Sequence, residues 1–211
     1  MAESLIISLR SQNVAGVLLV TLSVISLMGI ITAETLYPGY SISQNAISDL
    51  GATGPPGSVV QPSATIFNTA MVVSGVLVIG AAYFIHRAFK NRPFTALLAL
   101  TGIGILGVGI FPENYGAIHV VLSAILFTAG SLSAIVSYTV EAPLALRYYS
   151  VALGAVSLID LSLLVALDGS SPFALLGFGG LERWIVYPIL LWGTVFGGYL
   201  LGRSHPYVMR P

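Results

Sequence analysis

The sequence lacks cysteine altogether and contains few charges. Without cysteine, the chain cannot form disulfides, thiolate zinc sites, cysteine-ligated iron–sulfur clusters or a cysteine nucleophile. Charged residues make up 8%, whereas a soluble domain carries roughly a quarter. Because the formal net charge is zero, a nucleic-acid partner or a polybasic lipid-binding tail is not expected. With three histidines in all, a metal site made of several imidazoles would need all of them to converge.

Hydrophobic residues, by contrast, make up 56% of the chain, and the mean hydropathy is +0.93. They form six stretches long enough to cross a bilayer. The sequence therefore predicts an all-α fold, a single polytopic bundle of six transmembrane helices over residues 1–211, located in the cell membrane. The predicted spans are 14–36, 64–86, 94–111, 116–139, 147–167 and 183–202.

The basic residues predict the orientation of this bundle. If the spans alternate in direction, seven of the eight Lys and Arg residues lie on one side, and Arg183 is the exception. The positive-inside rule then places both termini in the cytoplasm. The opposite, outer side holds most of the carboxylates and one histidine, so any chemistry is expected there. These residues are Glu34, Asp49, Glu113, His119, Asp168 and Glu182.

The longest connection, residues 37–63, lies on the outer side and is rich in Gly, Pro, Ser and Asn. Its middle part, SISQNAISDLG, can form a short helix that begins near Ser41 or Ser43 and ends at Gly51. The segment is either a lid over the outer end of the bundle or a solvated linker, and the sequence favours neither.

Glycines within the spans predict close helix packing. The series Gly102, Gly104, Gly107 and Gly109 superficially matches a dinucleotide-binding motif, but it lies inside an apolar span with no preceding strand. Small residues that let helices approach are the better explanation. Pairs in the last span suggest another packing face, within the bundle or in a homo-oligomer: Gly193 with Gly197, and Gly198 with Gly202.

Several short motifs resemble an uncharacterised prokaryotic membrane family known as domain of unknown function nine-nine-eight. They are the run from Asn45 to Gly51, Asn68, Phe111-Pro112 followed by His119, and Glu182-Arg183 leading to Pro188 and Trp192. The resemblance covers nearly the whole chain in order and spacing. It implies a six-helix integral membrane protein and no particular activity.

Two predicted site elements lie at the outer ends of the fourth and sixth spans. His119 is a candidate metal ligand, general base or structural strut, with Ser123 one helical turn away. Glu182 is a candidate catalytic acid, base or metal ligand. Arg183 either forms an ion pair with Asp49 or Asp160 or holds an anionic group such as phosphate.

Two further elements complete the candidate site. Asp160 lies within the fifth span, where a carboxylate costs about 2.5–3.5 kcal/mol, so it is either functional or an interhelical clamp. Asn45 and Asp49 are one turn apart on the possible short helix, with Ser48 between them. We assign Asp49, His119, Asp160 and Glu182 as candidate catalytic residues, and Asn45, Ser48 and Arg183 as candidate substrate-binding residues.

Three functions fit these residues. The first is a membrane-embedded hydrolase or transferase acting on a lipid or lipid-linked substrate, with or without a metal. The arrangement faintly resembles seven-helix zinc hydrolases of the ceramidase superfamily, but those use three histidines and this side of the chain has one. The second is a proton- or ion-coupled transporter or channel, although no internal repeat is visible. The third is an accessory membrane subunit without chemistry.

Overall fold

The computed structural model describes residues 2–52, 59–140, 142–167 and 174–203. These residues form seven α-helices and contain no strand. The helices are α1 Ala2–Thr35, α2 Asp49–Ala52, α3 Ser63–Phe89, α4 Arg92–Ile110, α5 Ala117–Val136, α6 Leu144–Leu167 and α7 Gly177–Arg203. All except α2 are long and apolar enough to cross a membrane. The predicted all-α fold with six spans is therefore confirmed, and the protein is a multi-pass membrane protein.

Two helices begin earlier than the apolar stretches in the sequence. Helix α1 begins at Ala2 although the predicted span begins at residue 14, because no glycine or proline interrupts the mixed polar and apolar residues before it. Helix α7 begins at Gly177, where a φ of +69° lets the chain turn into the helix. Its first turns therefore carry Glu182 and Arg183 inside the helix, rather than at its first residues.

The six long helices form a closed ring in chain order. Each packs against the next one, and α7 packs against α1 to close the ring. Short connections produce this order because they make successive helices antiparallel neighbours. Between α3 and α4, Lys90 adopts a left-handed conformation and the Asn91 side chain accepts a hydrogen bond from the Phe94 N–H.

Glycines let the helices approach closely, as the sequence indicates. In α4, a methyl group added at Gly104 would meet the backbone of Leu126 in α5, 2.7 Å from its nitrogen. One added at Gly109 would lie 2.8 Å from the Asn68 carbonyl oxygen in α3. Gly197 packs against α1 in the same way, whereas Gly198 has open space around it. The glycines on both sides of α4 and on one side of α7 are thus used within the bundle.

The end of the bundle opposite the residue 37–63 connection is filled by aromatic side chains. The rings of Phe94, Trp192 and Phe196 are in mutual contact and almost completely buried. Trp192 donates a hydrogen bond to Ser137 Oγ over 3.1 Å, which joins α7 to the turn after α5. This half of the ring is closely packed.

Candidate functional site

The first part of the long connection, residues 37–52, lies over one end of the ring. Within this segment, Ile47 and Leu50 are buried and belong to the hydrophobic core. Ser63 Oγ donates to the Leu50 carbonyl over 3.1 Å, and Asn68 Nδ2 donates to the Gly51 carbonyl over 3.0 Å. Of the two interpretations left open by the sequence, the structure supports a lid for these residues. We call residues 37–52 the outer loop.

Arg183 holds this loop through its terminal nitrogens. Nη1 donates to the carbonyl oxygens of Ile42, at 2.9 Å, and Asn45, at 3.3 Å, as well as to that of Gly179 within α7. Nη2 donates to Tyr40 Oη over 2.7 Å and to Glu34 Oε1. A guanidinium group suits this position because its planar fork can reach several acceptors at once.

The ion pair of Arg183 is with Glu34 at the end of α1. Neither Asp49 nor Asp160 is the partner, contrary to the interpretation drawn from the sequence. The two side chains are 7% and 13% exposed, so the pair is largely shielded from water. Since both terminal nitrogens have acceptors within the protein, the observed role of Arg183 is to fasten the outer loop to α1 and α7.

Asn45 and Asp49 stabilise the turn in the middle of the outer loop. Asn45 Nδ2 donates to Asp49 Oδ2 over 2.8 Å, and the Ala46 N–H donates to the same oxygen over 3.1 Å. Asn45 Oδ1 accepts from the Ser41 N–H. Asn45 and Asp49 are therefore close together as expected, but Asn45 lies in a turn and not on the predicted short helix, because the helix comprises only Asp49–Ala52. Asp49 begins the short helix α2, where its negative charge is favourable at the first turn.

Tyr40 is a residue of this network that the sequence analysis missed. Its hydroxyl donates to the Ala46 carbonyl over 2.7 Å and accepts from Arg183. Burial raises the pKa of Tyr40 well above its ordinary value, although Arg183 acts in the opposite direction. The pKa of nearby Tyr37 is also raised, by burial and by the charges of Asp49 and Glu113. The sequence signal for these contacts is that Tyr37 and Tyr40 follow soon after Glu34, the acidic residue at the end of the first span.

Glu182 lies one residue before Arg183 but points to a different part of the site. Its Oε2 accepts a hydrogen bond from the Ile47 N–H of the outer loop. The side chain is buried, and it lines a cavity inside the ring that Arg183 does not line. This separation follows from helix geometry, because adjacent residues differ by about 100° in direction.

His119 reaches the same cavity from the first turn of α5. Its Nδ1 lies 2.9 Å from the Phe111 carbonyl oxygen, which can only accept, so Nδ1 carries the proton. In the neutral imidazole the other nitrogen, Nε2, is then a proton acceptor. The backbone of the α4–α5 connection thus sets the tautomer and the orientation of the ring.

The cavity itself has a volume of about 60 Å³ and lies beneath the outer loop. This is room for a few water molecules or the end of a small molecule. Most of its lining is apolar and comes from α1, α3, α4, α5 and α7. The polar lining residues are Ser26, Ser48, His119, Ser123 and Glu182. Of the predicted site residues, Ser48, His119 and Glu182 are therefore brought together.

Asp160 is not part of this cavity. It lines a separate hollow between α6 and α7, together with Trp184 and other apolar side chains. It makes no clamp between helices either, because its buried Oδ2 accepts no hydrogen bond from the described residues. The sequence gives the depth of a residue along a helix but not the side of the helix that faces the bundle.

The described part of the chain contains no group of three or more His, Cys, Asp or Glu side chains arranged to hold a metal ion. His119 and Glu182 share a cavity, but a third ligand of this kind is not beside them. Asp168 and His205 lie outside the described residues.

A comparison with known protein families agrees with the resemblance drawn from the sequence. The family model described as "Protein of unknown function (DUF998)" matches residues 20–199. The chain belongs to this family. The matched range includes every residue of the outer loop, Arg183, and the cavity residues His119 and Glu182. No curated protein and no solved structure matches the chain.

Proposed function

We propose that this DUF998 protein is a membrane-embedded hydrolase or transferase that acts on a lipid or lipid-linked substrate beneath the outer loop. The observation that carries the proposal is that His119 and Glu182 line one largely apolar cavity. A pocket of this kind, apolar with a few converging polar groups, is typical of a binding or active site. The apolar lining suits a hydrocarbon portion of the substrate, and the polar residues suit its reacting group.

In this proposal His119 is the general base. Its Nε2 takes a proton from the nucleophile, which is water in hydrolysis and the hydroxyl group of an acceptor molecule in transfer. The oxygen of this nucleophile then attacks the lipid substrate. Glu182 gives a proton to the leaving oxygen and is reprotonated from the imidazolium, so the proton balance closes over one turnover. Ser48 and Ser123 orient the substrate by hydrogen bonding. Arg183, Asn45 and Asp49 are positioning residues, because they hold the outer loop rather than line the cavity.

A second candidate, an accessory subunit without chemistry, is favoured by the contacts of Arg183. Every acceptor of its terminal nitrogens belongs to the protein, which is expected if Arg183 has a purely structural role. Transport through a single chain is less consistent with the structure. The packed aromatic side chains of Phe94, Trp192 and Phe196 fill the opposite end of the helix bundle. A transport path that starts at the cavity would have to continue through this end.

An assay in reconstituted vesicles separates the first two candidates. The vesicles contain phosphatidylglycerol, phosphatidylethanolamine and a polyprenyl phosphate, and products are followed by mass spectrometry. We expect turnover of at least one lipid, reduced by about 100-fold or more in His119→Asn and Glu182→Gln, because each removes an acid–base group. Ser162→Ala is the matched control, since Ser162 is exposed on α6 and bonds only to the Leu158 carbonyl.

Folding of each variant is checked by its melting temperature and by monodisperse elution in detergent. Turnover that is equal in wild type and in folded His119→Asn would reject the acid–base role. Absence of turnover for all three lipids with a folded wild-type protein would favour the accessory subunit.

A further inference from the structure

Asp160 lies in a hollow on the outer surface of the ring, between α6 and α7. The hollow has a volume of about 250 Å³. It is lined by Val156, Ile159, Asp160, Leu163, Leu176 and Trp184. Among these six residues, Asp160 is the only one with a charge. The indole of Trp184 is 54% exposed, and so the hollow opens to the surroundings of the bundle.

The depth of this hollow in the membrane follows from the two helices. Asp160 lies seven residues before the end of α6, and Trp184 lies seven residues after the start of α7, about 10 Å from each end. Helix α7 has 27 residues and is about 40 Å long, whereas the hydrocarbon core is about 30 Å thick. Helix α7 is therefore long enough for its first turns to reach the headgroup layer. An exposed tryptophan just below them is typical of the membrane interface.

The carboxylate of Asp160 lacks a counter-charge within the described chain. The side chain is 9% exposed, and its Oδ2 is buried without a hydrogen-bond partner. A charged carboxylate in such surroundings is unfavourable, and a cation that pairs with it removes this cost. Arg183 is the nearest cation along α7, but its terminal nitrogens bind Glu34, Tyr40 and backbone carbonyls. A cation that pairs with Asp160 would therefore come from outside the described part of the chain.

We infer that this hollow binds the ammonium group of an amphiphile, with Asp160 as the counter-ion and Trp184 beside it. A carboxylate neutralises the positive charge, and an indole attracts the same cation through its π-system. The five apolar lining side chains suit the hydrocarbon part of the molecule. A divalent metal ion fits poorly, because Ca²⁺ and Mg²⁺ require about six oxygen ligands and the hollow offers one carboxylate.

Two sources share this chemistry, a membrane lipid with an ammonium headgroup and a free alkylammonium compound. Brominated lipids test the first source, because bromine quenches a nearby indole. The protein carries a Trp192→Phe change, so that Trp184 is the remaining tryptophan, and is reconstituted in vesicles with the same brominated chains on phosphatidylcholine or phosphatidylglycerol. We expect phosphatidylcholine to quench Trp184 at a lower mole fraction than phosphatidylglycerol.

Asp160→Asn should abolish this preference, weakening the apparent affinity for phosphatidylcholine by about tenfold, the amount expected for the loss of one charge–charge contact. Asp160→Glu retains the charge and should retain the preference. To test the second source, the binding of decyltrimethylammonium to the protein is compared with the binding of decyl sulfate, both in a non-ionic detergent. Binding of the ammonium compound alone, without a lipid preference, would support the free amphiphile as the natural ligand.

Three results would overturn the inference. Equal quenching by both lipids together with equal binding of both decyl compounds would show that the hollow does not select an ammonium group. A preference that persists in Asp160→Asn would show that another residue provides it. Self-association that depends on Asp160, measured by light scattering, would assign the surface to a second copy of the chain. None of these readouts depends on turnover or on His119 and Glu182.

Discussion

Arg183 in α7 and Glu34 at the end of α1 form a shielded ion pair that joins the last helix of the ring to the first. The same guanidinium group also holds the outer loop through the carbonyl oxygens of Ile42 and Asn45. This one side chain thus connects ring closure with the position of the loop above the cavity. Its removal should therefore affect the stability of the whole outer end.

The first prediction is that Arg183→Gln strongly destabilises the protein. The change leaves Glu34 as an unpaired, mostly buried carboxylate and removes the contacts to the outer loop. Breaking a buried pair from one side costs about 3–5 kcal/mol, which corresponds to a fall in melting temperature on the order of 10 °C. The measurement is thermal unfolding in detergent.

The matched control is Arg87→Gln. This change removes an exposed guanidinium group in the last turn of α3, at the end of the bundle away from the outer loop, and should change the melting temperature little. The double variant Glu34→Gln/Arg183→Gln should lose less than the sum of the single variants, since it leaves no unpaired charge. Additive losses would mean that the two side chains act independently.

The second prediction concerns alkaline pH and Tyr40. The pKa of Tyr40 is raised in the folded protein, so the unfolded chain releases this proton first as the pH increases. The contribution of Tyr40 to stability is complete below its ordinary pKa of about 10 and is lost progressively above it. The melting temperature of the wild type should therefore fall as the pH is raised above about 10.

Tyr40→Phe should flatten this alkaline decrease. At neutral pH the variant should be less stable by about 1–3 kcal/mol, because it loses the bonds to Ala46 and Arg183. The control is Tyr148→Phe, in which the hydroxyl is removed from an exposed ring, and its pH profile should follow that of the wild type. A Tyr40→Phe profile as steep as that of the wild type would assign the decrease to another group, Tyr37 being the next candidate.

How far the sequence predicts this molecule can be seen in Glu182 and Asp160. Apolar length sets the number of spans, and the acidic and basic residues mark their ends, so both side chains could be placed near one end of the bundle. Their rotational positions could not, because an error of one residue turns a side chain by about 100°. Glu182 faces the inside of the ring and Asp160 a hollow on its surface.

The ion pair shows a second limit of the sequence. Arg183 was expected to find an acidic partner, and it does, but which carboxylate this is depends on the closure of α7 onto α1. Ring closure brings together the two ends of the chain, which no local pattern describes. The hydrogen bond between His119 and Phe111 is more local, since it spans the short α4–α5 connection, and a structural strut is one of the three roles that the sequence leaves open for this histidine.

The third prediction uses two adjacent glycines of α7 as a matched pair. A methyl group added at Gly197 would lie 2.9 Å from Leu19 Cβ and 3.0 Å from the Gly16 carbonyl oxygen in α1. One added at Gly198 would meet nothing within 4 Å. Gly197→Ala should therefore lower the melting temperature, because backbone must shift to accommodate it, whereas Gly198→Ala should leave it unchanged or raise it slightly.

Thermal unfolding of both variants in the same detergent provides the measurement. If Gly198→Ala were the more damaging of the two, that face of α7 would be covered in the intact protein, as in the predicted homo-oligomer. Light scattering of the same samples would then show a change in mass for Gly198→Ala and none for Gly197→Ala.

The fourth prediction is the orientation in the membrane. The excess of basic residues on the connections away from the outer loop predicts that the loop is extracytoplasmic. Because the chain has no cysteine, single cysteines report on each side without a background. Ile42→Cys lies in the outer loop, and Thr139→Cys lies in the turn after α5 at the opposite end, and both side chains are exposed.

In intact cells, a membrane-impermeant maleimide should label Ile42→Cys, and it should label Thr139→Cys only after permeabilisation. The reverse pattern would place the outer loop, and with it the cavity of His119 and Glu182, at the cytoplasmic leaflet. The substrate proposed for that cavity would then be drawn from the cytoplasmic lipid pool. Labelling thus decides the leaflet in which the lipid assay with the His119 and Glu182 variants must present its substrates.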